Sequence, residues 1–347
     1  MAQMGMFDLE DRLKRLDELG DQLAALDDAV DFEMFRPKLK QAVAYSDGSK
    51  GGRPPLDVVM MFKVLVIQAL NGDLSDDRME FLITDRLSFM RFLGLSLGDT
   101  APDAKSIWLF RQRLVEAGAI DDLFRRFDDH LRIQGYTARC GQIVDASLIR
   151  APIQRNTRED NATIKAGDIP EDWQDKPNKL AQKDTDARWA DRNKGAVFGY
   201  KDHTSIDKKH GFIRGWKVTD AARHDGAILR EEGLLDTTNT GGNVWADTAY
   251  RSAENEAFLE AHNYKSQITR KKPRGKPMPE NIKRGNRTKS RTRALVEHVY
   301  AHQKCRFKLT IRSIGKARAT FRIGMANLAY NMDRLVFKRR RRQPSCA

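Results

Sequence analysis

At about Arg139 the hydrophobic pattern changes period, and that change limits what the chain can fold into. Before it, apolar residues recur at three- and four-residue spacing through one segment after another. After it, short β-rich runs alternate with turn residues and a few helical stretches. The expectation is an all-helical part over residues 1–135, a mixed α/β part over 136–337 and a polybasic tail at 338–347. A chain of 347 residues can bury a substantial core.

In the first part, residues 1–33 read as one acidic amphipathic helix with Leu9, Leu13, Leu16, Leu19, Leu23 and Leu26 in a stripe. Such a stripe serves dimerisation or, equally, the core of its own subunit. Gly48 to Pro55 reads as a loop, and Leu56 to Leu70 is apolar nearly all round, which predicts a buried helix. Ser75 and Asp103 stand as N-caps before helices over 76–85 and 104–116, with a further helix over 87–93. Ile120, Leu123, Phe124, Phe127 and Leu131 mark a last helix ending near Gly135. A DNA-reading helix-turn-helix and plain helix packing are both open to this module.

In the second part, Ile143 and Val144 form a short strand that ends at Asp145, and residues 150–195 read as a polar insertion. Strands over 196–207 and 212–218 are expected to form a hairpin, followed by a crossover helix over 225–235. A brief strand over 243–246 ends at Asp247, Ser252 caps a helix over 253–262, and a strand over 264–269 leads into a basic loop over 270–293.

The charge is +14 and is concentrated locally. Arg270 to Arg293 contains one acid, Glu280, and the chain closes on Lys338 to Arg342 and a few more residues. Nucleic acid is the expected partner. The longest apolar run is interrupted by Lys63 and Gln68, and the N-terminus lacks a signal-peptide core, which places the expected protein in the cytoplasm and off the membrane. Cys140, Cys305 and Cys346 are scattered and suggest neither a disulfide framework nor a structural zinc site.

From Arg291 to Lys304 the sequence is helical, and Arg293, Glu297, Tyr300 and Lys304 share a face. One carboxylate between two cations suits a polyanion held at a metal, although a solvated helix with an internal ion pair shows the same spacing. If the strands ending at Asp145 and Asp247 are neighbours, their carboxylates project from one end of the sheet, and Glu297 would complete a three-acid site. Hard oxygen donors suit Mg²⁺ or Mn²⁺, and two such ions about 3.5–4 Å apart serve in-line phosphoryl displacement. Taken singly, each aspartate fits a turn-capping role as well. His298 and His302 are four apart without an acid between them, a pattern that fits helix surface better than zinc.

The run IVDASLIRAP, the segment DARW followed by GYKDHTSID, the block VWADTAY, and Arg293, Glu297 and Lys304 at their spacing together resemble a DDE transposase of a bacterial insertion sequence, in the insertion-sequence-five group. The resemblance extends through the helical part, from RPPLDVVMMFK to MRFLGL. It implies an RNase H-like catalytic domain with Asp145, Asp247 and Glu297 as catalytic and metal-binding residues and two Mg²⁺ ions, for which Mn²⁺ can substitute. It also implies double-stranded DNA as substrate, nicked at the terminal inverted repeats and joined to target DNA by a homodimer or larger assembly near the nucleoid. Arg293 and Lys304 would hold a DNA-end phosphate, with Lys289 and Arg291 adding to the DNA contact. The related Tyr-Arg-Glu-Lys signature has its tyrosine three residues before the arginine, where this chain has Ser290. Arg188 would contact a phosphate and Trp189 a base, each with a plain structural role as the alternative. A DNA-binding protein without catalysis, or a less specific nuclease, are the competing functions.

Overall fold

The computed structural model describes residues 8–45, 54–72, 74–191, 195–273 and 275–342. Most of the Gly48–Pro55 loop and the tail beyond Arg342 lie outside the described residues. Two compact units result: residues 1–127 with 328–347, and residues 128–327.

The helical unit contains α1 (Asp8–Glu18), α2 (Gln22–Ala29), a 3-10 turn (Phe32–Phe35), α3 (Arg36–Val43), α4 (Val58–Leu70), α5 (Asp76–Asp85), α6 (Leu87–Leu93) and α7 (Ala104–Glu116). It also takes in the first part of α8 (Ile120–Ile133). Ser75 and Asp103 cap as expected, accepting from the Arg78 and Ser106 amides. Helix α4 is buried on nearly every side, and Phe62 of α4 lies 4.8 Å from Phe35 between ring centroids. The single acidic helix expected over 1–33 is instead two helices. Gly20 takes φ +83° and breaks the stripe, so Leu19 is exposed while Leu23 and Leu26 turn inward.

The second unit carries β1 (Gln142–Arg150), α9 (Arg158–Ala166), α10 (Glu171–Gln174), α11 (Pro177–Leu180), β2 (Arg188–Ala190), β3 (Val197–Asp207) and β4 (Ile213–Asp220). There follow α12 (Asp225–Ile228), β5 (Asn243–Trp245), a 3-10 turn (Thr248–Tyr250), α13 (Ala253–Ala261), β6 (Lys265–Ser266), α14 (Glu280–Ala301), a π turn (His302–Arg306) and the start of α15 (Lys316–Arg342). The sheet runs β2-β3-β1-β5-β6, with β4 also paired to β3. β1 is antiparallel to β3 along its whole length and parallel to β5, which is parallel to β6. A Cβ on Gly141 would come within 2.5 Å of the Asn243 carbonyl, so glycine is what lets the start of β1 lie so close to β5. Val144, Val244, Ala246, Tyr250, Leu259 and Ile268 pack one core of the unit.

Four expectations need correction. Asp145 does not end its strand; it is the fourth of nine residues, because β3 keeps pairing with β1 as far as Arg150. The polar insertion holds three short helices, the first fixed by a Thr157–Asp160 capping box. The crossover helix shrinks to four residues, and Gly233, soon after it, takes φ +82°. Most of the basic loop is helix: α14 begins at Glu280, eleven residues before the stretch that looked helical. The Lys338–Arg341 cations, expected in a tail, lie near the end of α15, where positive charge complements the helix C-terminus.

Candidate active site

The parallel pairing of β1 with β5 sets the geometry. Gln142 lies opposite Val244 and Ile143 opposite Trp245, and the same offset carries Asp145 to Asp247. Asp145 is therefore in mid-β1 while Asp247 stands level with it, two residues past the end of β5, so that no β5 residue pairs with β1 at this height. Asp247 takes extended backbone and caps the 3-10 turn, its Oδ1 accepting from the Ala249 amide at 2.7 Å. Asp145 Oδ1 accepts from its neighbour's amide, that of Ala146, at 2.9 Å.

Helix α14 meets this pair through Arg293. Its Nη1 donates to Asp145 Oδ2 at 2.5 Å and its Nη2 to Glu297 Oε1 at 3.0 Å, so one guanidinium joins the strand acid to the helix acid. Burial pushes the Asp145 carboxyl up to about 6; Arg293 and the Ala146 amide oppose that rise, and Asp247 adds to it. Among the described residues, no group of three or more His, Cys, Asp and Glu side chains is gathered closely enough to form a ready metal cage. The donor chemistry nonetheless fits a hard divalent cation, since every acid here offers carboxylate oxygen. The Tyr250 hydroxyl is buried without a partner and lies under the fields of Asp145, Asp225 and Asp247, so an unsatisfied polar atom faces the same acids.

Tyr300 locks the helix to the sheet. Its hydroxyl donates to the Asp145 carbonyl at 2.7 Å, which leaves the Thr204 hydroxyl to donate to it at 2.8 Å. One residue past the end of α14 the chain makes its π turn, a feature frequent at functional sites, and this turns Gln303 into the core. Gln303 and Asn327 both donate to the fully buried Asp202 on β3. Lys304, in the same turn, is exposed, and its charge reaches Asp202.

The other expected DNA contacts are placed differently from one another. Arg291 is exposed on α14. Lys289 is half-buried and donates to the Ile268 carbonyl at 3.2 Å. Arg188 gives its guanidinium to three carbonyls, those of Thr185, Ala187 and Ile164, which is the structural alternative for that residue. Trp189 is 40% exposed and packs against Phe198 with centroids 5.4 Å apart. Arg251, Asn286, Asp225 and the Asp202–Gln303–Asn327 group were not singled out in the sequence. Two had a signal: Arg251, one residue after the VWADTAY block, and Asp202, inside the GYKDHTSID segment.

Comparisons with known proteins identify the family. Residues 10–113 match the family described as Transposase domain (DUF772), and residues 136–332 match the Transposase DDE domain family. The chain is similar to the transposase for insertion sequence element IS1106 of Neisseria meningitidis serogroup B, with 29% identity over 233 residues that cover 66% of this chain and 72% of the relative. No solved structure matches. Among the described residues, no helix is long and apolar enough to cross a membrane. With the DDE family matched over more than half its length, behind a helical region and on a mixed sheet of the RNase H-like kind, the chain belongs to the DDE transposases, enzymes that cut DNA and transfer its strands.

Proposed function

We propose that Asp145, Asp247 and Glu297 are the acids of this transposase, holding divalent metal, Mg²⁺ or Mn²⁺, against the scissile phosphate of the element's ends. The observation that carries the reading is the β1–β5 offset that sets Asp247, just past the end of β5, level with Asp145 on β1, with the Glu297 helix tied to Asp145 through Arg293. When bound, a pair of such ions activates water or a 3′-hydroxyl and stabilises the leaving oxygen of an in-line displacement.

The chain's own residues do the rest. Tyr300 fixes the Asp145 backbone, and the capping bond of Asp247 leaves its second oxygen for ligation. Arg293 orients two carboxylates at once with a planar fork that lysine lacks. Arg291, Lys304 and Lys289 contribute positive charge toward the DNA backbone, and the exposed Trp189 ring offers a stacking surface. Joining two ends of one element calls for at least two copies of the chain, so the working form is an oligomer on DNA within the bacterial cytoplasm.

The test uses purified protein and a duplex carrying one element end. Asp145→Asn, Asp247→Asn and Glu297→Gln are each expected to remove Mg²⁺- or Mn²⁺-dependent nicking and the strand-transfer product while leaving end binding in place. Wild-type cutting by any one of them refutes its assignment. Equal cutting of DNA without inverted repeats, with no joined product, points to a nuclease instead.

A further inference from the structure

We propose that Arg251 and Lys289, with Arg270 beside them, form a second phosphate subsite that grips the DNA strand one to two nucleotides from the scissile phosphate. This rests on the reading of Asp145 and Asp247 as the place of cutting.

The subsite stands at the end of β6. That strand continues its pairing past Ser266 through the Thr269 amide, which donates to the Ala246 carbonyl, and so brings residues 268–270 alongside Asp247. There the Ile268 carbonyl accepts from Arg251 Nη1 at 3.1 Å and from Lys289 Nζ at 3.2 Å. Two cations on one oxygen have heads no more than about 6 Å apart and repel each other. A neutral amide would satisfy a carbonyl as well, so the charge needs another purpose. The carboxylate nearest Arg251 is Glu256 at 3.5 Å, and it also accepts from the Ser266 hydroxyl. Three cations against Glu256 and the neighbouring Asp247 leave a net positive site. Lys289 shows the strain of this crowding: burial first, and then Arg251 and Arg270, hold its ammonium below the usual lysine range.

The third cation is held in place through its backbone. Asn286 of α14 accepts from the Arg270 amide at 3.0 Å and donates to the Arg270 carbonyl at 2.9 Å, which lays the chain after β6 along the helix. Asn286, Lys289 and Arg293 share the less exposed ridge of α14, at i, i+3 and i+7. Lys289 therefore lies one turn, about 6 Å, from Arg293, the partner of Asp145. At roughly 3.4 Å of rise per nucleotide of one strand, that spacing reaches the first or second phosphate from the cut.

The experiment measures binding of the full chain to an element-end duplex without divalent metal, across a salt series, for wild type, Arg251→Gln, Lys289→Gln and Lys289→Arg. The two Gln variants are expected to bind about tenfold more weakly, with the log-log salt slope reduced by about 0.9 each. Lys289→Arg should restore both. A parallel arm leaves the protein unchanged and replaces single phosphates near the cleavage site with neutral methylphosphonates. One position should weaken wild type by a similar factor and have no further effect on either Gln variant. Unchanged affinity and slope in the Gln variants, or a loss shared evenly by every methylphosphonate position, would overturn the subsite. Because no cutting is measured, this outcome is independent of whether the three acids prove catalytic.

Discussion

Tyr300 illustrates how one side chain can hold a candidate active site together through the backbone. Its hydroxyl is bonded to the carbonyl of Asp145 and to Thr204, so it couples the angle of α14 to the backbone of the strand acid. Tyr300→Phe keeps the ring and its packing but strands a buried carbonyl and a buried hydroxyl. The expected cost is about 1–3 kcal/mol of stability, read as a lower urea midpoint with an unchanged slope. Because the lost bond is to Asp145 itself, single-turnover nicking should slow while end affinity stays constant. A variant that is destabilised yet nicks at the wild-type rate would limit Tyr300 to packing. In sequence the residue reads as sharing a face with Arg293, Glu297 and Lys304, but its partners are 96 and 155 residues away, and no local spacing reports them.

At the scale of elements, the π turn after α14 matters because it sends Gln303 inward to Asp202. Burial pushes the Asp202 carboxyl up to about 7, even though the Asn327 and Gln303 amides and the Lys304 charge favour its ionised form. A carboxyl raised from its ordinary value of 3.8 stays protonated in the folded chain between about pH 4 and 7 while the unfolded chain has released that proton. The group therefore makes stability fall as pH rises through that window and has no further effect above it. Asp202→Asn removes this dependence. Its stability relative to wild type should rise by up to about 1.4 kcal/mol per pH unit between pH 4.5 and 7 and then level off, measured by urea unfolding at several pH values. A difference that does not vary with pH sinks the assignment. Elements announced by caps were legible: Ser75, Asp103 and Ser252 each begin a helix where their side chains accept a backbone amide. The length of α14 was not, because its inward ridge carries Asn286, Lys289 and Arg293 where a period of apolar residues would normally reveal a helix. The strand acids were visible as types and positions, but Asp145 sits in mid-strand because β1 outlasts β5, a matter of partner length that a single strand's sequence does not contain.

For the whole molecule, the charge of +14 has a direction on α14. Arg284, Arg287 and Arg291 lie at i, i+3 and i+7 on its exposed side, opposite the ridge that carries Lys289 and Arg293. These three arginines are placed to meet the phosphates of any duplex, since backbone contacts position a protein without reading sequence. Replacing all three by Gln should lower affinity for an element end and for a random duplex by the same factor. The slope of log affinity against log salt should drop by up to about 2.7, at roughly 0.9 per phosphate released. The ratio between the two affinities, which measures recognition of the end, should stay where it was. Paired salt titrations on both duplexes decide the point. If the ratio collapses with the charges, the outer face of α14 takes part in reading the inverted repeat and not merely in holding the backbone.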